Sequence, residues 1–228
     1  MRRLALDARL ASLAALVRQG AVFADIGTDH ALLPLFLLSE GKISRAVCTD
    51  INEGPLEKAK ENAREFGLFD KVEFIRTDGA AALFDLGLTD VAVCGMGGEL
   101  ISDIIAAAPF LKNPNINLIL QPMSRPRALR EYLAANGFEI VREVYSESSG
   151  KCYVAMLSRY TGATVQLDLL RAELGDFAPE YHSSAVVRKY VDTRLRTILK
   201  SAEGKMRGAE ECPEELEILD AARKGGFL

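Results

Sequence analysis

The segment ADIGTDHALLP at residues 24–34 decides the fold of this chain. It closes an apolar run, AVFADI at 21–26, and opens the apolar-periodic stretch ALLPLFLL at 31–38. This pattern predicts a buried strand, a tight turn and the start of a helix. Doubly wound α/β sheets bind cofactors at a turn of this kind.

The turn carries acidic residues where a dinucleotide-binding loop carries glycines. That loop uses three glycines so that backbone amides can approach a pyrophosphate, whereas here Gly27 stands alone and Asp29 takes the place of the second glycine. An aspartate would repel a pyrophosphate, but Asp25 and Asp29 would attract the sulfonium and ammonium groups of S-adenosylmethionine. The turn therefore favours a methyl donor over a nicotinamide. Capping of the next helix by Asp29 and His30 is the alternative interpretation.

Composition indicates a globular protein with a substantial core, since 49% of the 228 residues are hydrophobic and the formal net charge is −4. This length accommodates one α/β domain of about 150 residues and a smaller appendage. The four cysteines have no CxxC spacing and the two histidines do not cluster with them. We therefore expect no metal site and a reducing, cytoplasmic environment.

The first 20 residues are leucine- and alanine-rich and begin with a basic pair, as a signal peptide does. However, Asp7, Arg9 and Arg18 interrupt the apolar run at helical spacing. We predict an amphipathic helix and no membrane association. The residues predicted to face inward are Leu4, Leu10, Leu13, Leu16 and Val17.

Strand and helix patterns alternate up to about residue 135, which predicts a parallel sheet with crossover helices. The predicted strands are 21–26, 46–50, 72–77, 90–95 and 116–121, with helices at 56–68 and 127–137. The segments FEIVREVYSES (138–148) and KCYVAMLSR (151–159) then predict an antiparallel hairpin. The arrangement resembles the Rossmann-like, mostly parallel seven-stranded sheet of class I methyltransferases.

The carboxyl ends of the predicted strands are polar or glycine-rich, as a ligand edge requires. Asp50 lies 23 residues beyond Gly27, about where an acid binds the two ribose hydroxyls. Asp78 follows the third strand, where it can accept a hydrogen bond from an adenine amino group, and Gly79 allows close approach. Helix capping by these acids is again the alternative.

The fourth strand ends in CGMGG (94–98), which we interpret as the floor of the pocket because glycine permits positive φ and close backbone approach. Methyltransferases acting on exocyclic amines carry Asn/Asp-Pro-Pro-aromatic at this position, and that motif is absent here. A ring nitrogen such as adenine N1 can attack a methyl group directly through its in-plane lone pair. CGMGG therefore favours a ring-nitrogen acceptor, with a glycine-rich turn of no catalytic meaning as the alternative.

Five motifs together resemble the bacterial tRNA (adenine-22-N1)-methyltransferase family: ADIGTDHALLP, CTDIN, TDGA, VCGMGGELI and LILQPMSRP. The resemblance implies a Rossmann-like S-adenosylmethionine domain at 1–160, and a helical, coiled-coil-like domain at 161–228 that contacts tRNA. Asp29 and Gly97 become the candidates for catalysis. The candidates for cofactor binding are Asp25, Gly27, Thr28, His30, Asp50, Ile51, Asn52, Asp78, Gly79, Gly95, Met96 and Gln121. The chain departs from the family at Leu32, where an aromatic residue is expected.

The C-terminal part predicts helices at 165–175, 184–208 and 213–225. In the long helix Val187, Val191, Leu195, Ile198 and Leu199 form one apolar face. Between His182 and Gly208 seven basic residues stand against two acidic ones, which indicates either a phosphate-binding surface or a merely solvated face. The residues predicted to contact tRNA are Arg2, Arg9, Arg125, Lys189, Arg196 and Lys200.

We therefore expect a cytoplasmic, S-adenosylmethionine-dependent enzyme that methylates adenine N1 in tRNA as a monomer or weak homodimer, without a metal. A methyltransferase for a small metabolite or a protein is the enzymatic alternative. A catalytically silent nucleotide-binding or RNA-scaffold protein is the non-enzymatic one.

Overall fold

A seven-stranded sheet between two helical layers forms the body of the molecule, in a computed structural model that describes residues 4–228. The strands are β1 (Ala21–Ile26), β2 (Ile43–Asp50), β3 (Val72–Arg76), β4 (Asp90–Gly97), β5 (Asn117–Ser124), β6 (Phe138–Ser148) and β7 (Lys151–Tyr160). Their order is β3-β2-β1-β4-β5-β7-β6. The first five are parallel, whereas β7 runs antiparallel to both β5 and β6, which confirms the predicted fold class.

Eight α-helices accompany the sheet in the described residues, and each predicted helix is present. They are α1 (Ala8–Leu16), α2 (Leu32–Ser39), α3 (Glu53–Glu65), α4 (Gly98–Ala106), α5 (Pro126–Ala135), α6 (Leu169–Leu174), α7 (Ala185–Arg207) and α8 (Pro213–Lys224). The caps of α7, Ser184 and Gly208, coincide with the predicted bounds of this helix. Helix α6 is shorter than predicted, because Asp168 caps it and the helix begins only at Leu169. Leu199, predicted to face inward, is exposed.

The two faces of the sheet bury separate apolar clusters. One face packs against α1, α2 and α3 and includes Leu13, Phe23 and Leu35, all fully buried. The other face packs against α4, α5 and the C-terminal helices, and its cluster runs from Ala24 to Ala222. Because strands covered on both faces must be apolar throughout, β1 and β4 have the continuous apolar runs that the sequence displays.

Helix α1 crosses one face of the sheet from its carboxyl-terminal edge to its amino-terminal edge. Its cap, Asp7, accepts a hydrogen bond from Leu10 N at 2.8 Å and another from Ser148 Oγ at 3.1 Å. Beyond its other end, Arg18 Nε donates to Asp90 Oδ1 at 2.7 Å, and Asp90 is fully buried. Both ends of α1 are therefore tied to the sheet, and Arg18 serves an ion pair far from the ligand edge.

A buried ion pair joins the C-terminal helices to the sheet layer. Arg130 Nε in α5 donates to Glu143 Oε1 in β6 at 2.7 Å, and the two side chains are 1% and 3% exposed. Arg130 Nη1 also donates to the carbonyl oxygens of Ala172 and Glu173. A Cβ at Gly175 would overlap Glu143 Oε2, so only glycine fits there. The proposed division at residue 160 remains a prediction.

Candidate active site

A cavity of about 600 Å³ opens at the carboxyl-terminal edge of the sheet. It lies where the strand order reverses, between the loop after β1 and the end of β4, and extends to the end of β5 and the turn between β6 and β7. Ligands of open α/β sheets bind in the crevice that such a reversal creates. The cavity is therefore the candidate active site.

The loop after β1 is held in place by backbone hydrogen bonds, and its acids are left for ligand contact. Thr28 N donates to Thr49 O at 2.7 Å, and Asn62 Nδ2 donates to His30 O at 2.9 Å. Helix α2 is capped by Ala31, which has a φ of 53° and makes no side-chain cap. The alternative in which Asp29 and His30 cap this helix is therefore wrong. The Asp29 carboxylate is 82% exposed and lies 3.3 Å from His30 Nε2.

Asp25 is the buried acid of the cavity, with an exposed fraction of 9%. Its Oδ2 accepts a hydrogen bond of 2.6 Å from the hydroxyl of Thr28. Burial raises the pKa of Asp25 from 3.8 to about 6, because the hydrogen bond compensates only part of the lost hydration. A cationic ligand beside this carboxylate would favour its ionised form.

Glycines lie at the floor of the cavity, and they differ in backbone φ and in what a side chain at each position would meet. A Cβ at Gly27, whose φ is 72°, would overlap Met96 Cε, so the Met96 side chain lies directly over this turn. Gly95 has a φ of 80°, at an irregularity in the pairing of β4 with β5. A Cβ at Gly98 would overlap the Arg125 carbonyl oxygen. Gly97 has an ordinary φ of −69° and caps α4.

The predicted site residues divide into two groups along the edge of the sheet. One group lines the cavity: Asp25, Gly27, Thr28, Asp29, His30, Gly95 and Met96. The other lies at the ends of β2 and β3, outside the cavity: Asp50, Ile51, Asn52, Asp78 and Gly79. Neither Gly97 nor Gln121 lines the cavity, although both lie at its edge, in β4 and β5.

The loop after β2 is shaped by Asp50, whose Oδ1 accepts a hydrogen bond of 2.7 Å from Asn52 N. The backbone oxygen of Asp50 accepts from Thr77 N at 3.1 Å, which joins the loops that follow β2 and β3. The second carboxylate oxygen of Asp50 is thus left for a ligand, and Asp78 is exposed beside it along the edge.

Sequence analysis missed the far wall of the cavity, which α1 and the β6–β7 hairpin provide. Arg9, predicted to contact RNA, points into the cavity, where its Nη1 donates to Gln121 Oε1 at 3.0 Å. Tyr153 at the start of β7 also lines the cavity, and the Arg9 guanidinium lies 5.9 Å from its ring centroid. The antiparallel hairpin was the available signal, because its turn must lie at the same edge as the end of β5.

The predicted tRNA-contact residues differ in how far their charges are already paired. Arg125 pairs with Glu99, and Lys189 pairs with Glu147 of β6. Arg196 lies 4.0 Å from Asp192. Lys200 has no ion-pair partner among residues 4–228, and neither has Arg207 of the same helix, which was not among the predicted contacts. Arg2 lies outside the described residues.

Between residues 4 and 228, no group of three or more histidine, cysteine, aspartate or glutamate side chains is arranged to hold a metal ion. In the same part of the chain, no helix is both long and apolar enough to cross a membrane.

Asparagine at position 25 should stabilise the protein at neutral pH. The raised pKa means that the folded protein binds the Asp25 proton more tightly than the unfolded protein does. Proton binding at Asp25 therefore stabilises the fold at low pH, and this contribution is lost as pH rises from about 4 to about 6. Asp25→Asn removes that loss and should raise the free energy of unfolding by up to about 3 kcal/mol at pH 7.5 and by roughly half of that at pH 5. Urea denaturation at both pH values measures the difference. Asp70→Asn, at an exposed acid, is the control, and a pH-independent effect of Asp25→Asn would contradict the assigned ionisation.

Comparison with known proteins places the chain among methyltransferases. Residues 6–156 match the family model described as a methyltransferase domain. The tRNA (adenine(22)-N(1))-methyltransferase of Bacillus subtilis (strain 168) is 30% identical over 204 residues, which cover 86% of this chain and 84% of that protein.

Solved structures agree with this placement. The B. subtilis M1A22 tRNA methyltransferase TrmK superposes with a TM-score of 0.79 at 27% identity, covering 98% of this chain and 97% of that one. Streptococcus pneumoniae Sp1610, solved in complex with S-adenosyl-L-methionine, superposes with a TM-score of 0.81 at 29% identity, covering 94% and 100%. The chain therefore belongs to the tRNA (adenine-22-N1)-methyltransferase family.

Proposed function

We propose that this protein transfers the methyl group of S-adenosylmethionine to N1 of an adenine in tRNA, at position 22. The cavity at the β1–β4 reversal carries the proposal, because it places Asp25 and Asp29 opposite the glycine-lined end of β4. The B. subtilis relative is named for this reaction at this position, and the match covers most of both chains.

The residues at the edge of the sheet fit S-adenosylmethionine. The ligand has a sulfonium, an ammonium and a ribose diol, and the edge offers a buried carboxyl at Asp25, an exposed one at Asp29 and a third at Asp50. The backbone at Gly27 is bare except for the Met96 side chain, which is flexible and can move aside. We assign Asp50 to the ribose hydroxyls and Asp78 to the adenine amino group. A carboxylate accepts hydrogen bonds from both kinds of group.

The chemistry requires positioning more than proton transfer. Bound S-adenosylmethionine supplies an electrophilic methyl group, which the N1 lone pair of the substrate adenine attacks while the C–S electron pair returns to sulfur. No base is needed before the attack, because the N1 lone pair is free in neutral adenine. The cavity residues therefore orient the base and exclude water.

Methylation at N1 leaves a positive charge on the base, and Asp29 is the residue we assign to stabilise it. Its carboxylate lines the cavity, is largely exposed and has His30 as its one ion-pair partner among residues 4–228. The N1 atom lies on the Watson–Crick edge, so the target adenine must be unpaired or turned out of its stack to reach the cavity.

We assign tRNA backbone contact to the outer face of α7, with Arg125 at the rim and the N-terminal Arg2 as further contacts. Lys200 and Arg207 carry charges without an ion-pair partner in the described part of the chain, whereas Lys189 and Arg196 have nearby acids. No aromatic-rich RNA module is evident in the sequence, which favours recognition of tRNA shape and phosphates. We place the reaction in the cytoplasm and assign it to a monomer or weak homodimer.

Nucleoside mass spectrometry tests the reaction directly. Incubation of unmodified tRNA with the full-length protein and labelled S-adenosylmethionine should yield labelled 1-methyladenosine. A transcript with guanosine at position 22 should yield none. Labelling of a small metabolite or a protein, with none in tRNA, would instead support the enzymatic alternative. The absence of cofactor binding would support a catalytically silent protein.

Removal of the Asp50 carboxylate should weaken cofactor binding. Each charge-assisted hydrogen bond contributes roughly 1.5–3 kcal/mol, so Asp50→Ala should raise the Kd for S-adenosylmethionine by about tenfold or more. Isothermal titration calorimetry measures the change. Asp70→Ala, an exposed acid before β3, is the matched control and should bind as the parent does. Equal affinity of the two variants would refute the assignment of Asp50.

Unpaired cations of α7 should determine the salt dependence of tRNA binding. Each phosphate contact that is lost flattens the slope of log affinity against log salt by about 0.7–0.9. The double variant Lys200→Gln, Arg207→Gln should therefore flatten it by roughly 1.4–1.8. Lys189→Gln should change it less, because Glu147 already pairs with that charge. Fluorescence anisotropy at several salt concentrations measures the slopes, and a double variant with the parent slope would show that this face is only solvated.

A further inference from the structure

The cavity has a half that the assigned cofactor residues do not occupy. Asp50 and Asp78 follow β2 and β3, which lie on one side of β1 in the sheet. The cavity extends to the other side, where β4, β5 and β7 meet the edge. The acceptor base must therefore enter from the side of β5 and β7, beyond Gly95 and Met96.

An aromatic ring forms part of the wall in this half. Apart from the imidazole of His30, Tyr153 is the only ring among the described residues that line the cavity. Its hydroxyl donates to no group and accepts from none among residues 4–228. The Arg9 guanidinium lies 5.9 Å from the ring centroid. A half-buried tyrosine whose hydroxyl makes no hydrogen bond within the described residues is available to a ligand.

The position of Tyr153 is fixed by the sheet and by α1. Tyr153 pairs with Ser146 of β6, and β7 pairs with β5 as far as Leu120 and Met156, three residues short of Tyr153. Met123, which is exposed, lines the same cavity. Arg9 is held in turn by Gln121 Oε1, and Gln121 Nε2 donates to Pro122 O at 3.1 Å. The ring is thus presented by a rigid strand and flanked by an anchored guanidinium.

Methyl transfer to N1 uses the edge of an adenine and leaves both of its faces free. A group that stacks on one face of the adenine can therefore hold the base without covering N1. The Arg9 guanidinium already donates to Gln121 Oε1, and its planar group can flank a stacked pair. An aromatic face is the group best suited to hold a base that has left its own stack.

We propose that Tyr153 is the stacking platform for the target adenine and that Arg9 is the positioning residue beside it. This inference rests on the proposed function, since it identifies the acceptor subsite of the same cavity. The contact is with the base, whereas tRNA affinity arises mainly from the backbone. Tyr153 therefore acts on the rate of transfer more than on tRNA binding.

Paired substitutions separate the aromatic face from the hydroxyl. Tyr153→Phe keeps the ring and should retain the single-turnover rate within about twofold, whereas Tyr153→Leu should lower it by roughly 10- to 100-fold. For both variants the Kd for S-adenosylmethionine and the melting temperature should equal those of the parent. Phe84→Leu is the matched control, because Phe84 is an aromatic residue that is 70% exposed and lies outside the cavity.

A fluorescence measurement tests the same contact without turnover. The chain contains no tryptophan, so Tyr153→Trp introduces a single reporter. Addition of tRNA together with S-adenosylhomocysteine should quench it, and a transcript that is abasic at position 22 should not. The control Phe84→Trp should respond equally to both transcripts.

The outcomes distinguish this inference from the proposed function. A parent protein that makes no 1-methyladenosine overturns the function itself. If the parent is active, three results would overturn the platform: a fast Tyr153→Leu variant, a Tyr153→Phe variant as slow as Tyr153→Leu, or equal quenching by the intact and abasic transcripts. Tyr153→Leu could instead bind S-adenosylmethionine more weakly or melt at a lower temperature than the parent. If Tyr153→Trp is also not quenched, Tyr153 has a structural role and the platform is overturned.

Discussion

The insertion of β7 between β5 and β6, antiparallel to both, is the constraint on which the rest of the structure depends. A seventh parallel strand would begin at the amino-terminal edge, far from the cavity. Because β7 runs the other way, its first residues lie beside the last residues of β5, and the turn at Ser148–Ser149 reaches the ligand edge. The same hairpin receives the cap of α1 through the bond between Asp7 and Ser148. One reversal of direction thus encloses half of the cavity.

The hairpin also anchors the C-terminal helices, through a buried charge rather than through apolar contact alone. Removal of one partner of a buried pair typically costs about 3–5 kcal/mol, because the other charge stays without compensation. The Glu143 carboxylate additionally accepts from Tyr145 Oη and Asp176 N, both at 3.0 Å, and the ring of Tyr190 in α7 packs at a tilt of 56° against that of Tyr145. A fragment that ends at residue 160 would expose Arg130 and Glu143 together with the apolar face of α5. The helices therefore contribute to the stability of the sheet layer as well as to any RNA surface.

The fold and the polar carboxyl-terminal edge of the sheet could be predicted from the sequence, because both follow from local patterns. Apolar runs that end in acids or glycines identify strands and their carboxyl ends, and these placed Asp25, Asp50, Asp78 and Gly95 at the same edge. Long-range pairing has no such local signal. Lys189 looks like a free cation in a basic helix, and only the packing of α7 against β6 brings it to Glu147. Arg9 likewise looks like a surface charge until α1 is docked.

The charge distribution reconciles an acidic cavity with a polyanionic substrate. Three carboxylates at one edge would repel tRNA if all were ionised in the empty protein. Burial raises the pKa of Asp25 to about 6, so protonation lowers the negative charge of the empty cavity at and below about that pH. A bound cation would favour the ionised form, so the negative charge develops where a positive ligand compensates it. Arg9 supplies a fixed positive charge on the acceptor side. In the proposed complex the phosphates meet the unpaired cations of α7 elsewhere, and only an uncharged base has to enter the cavity.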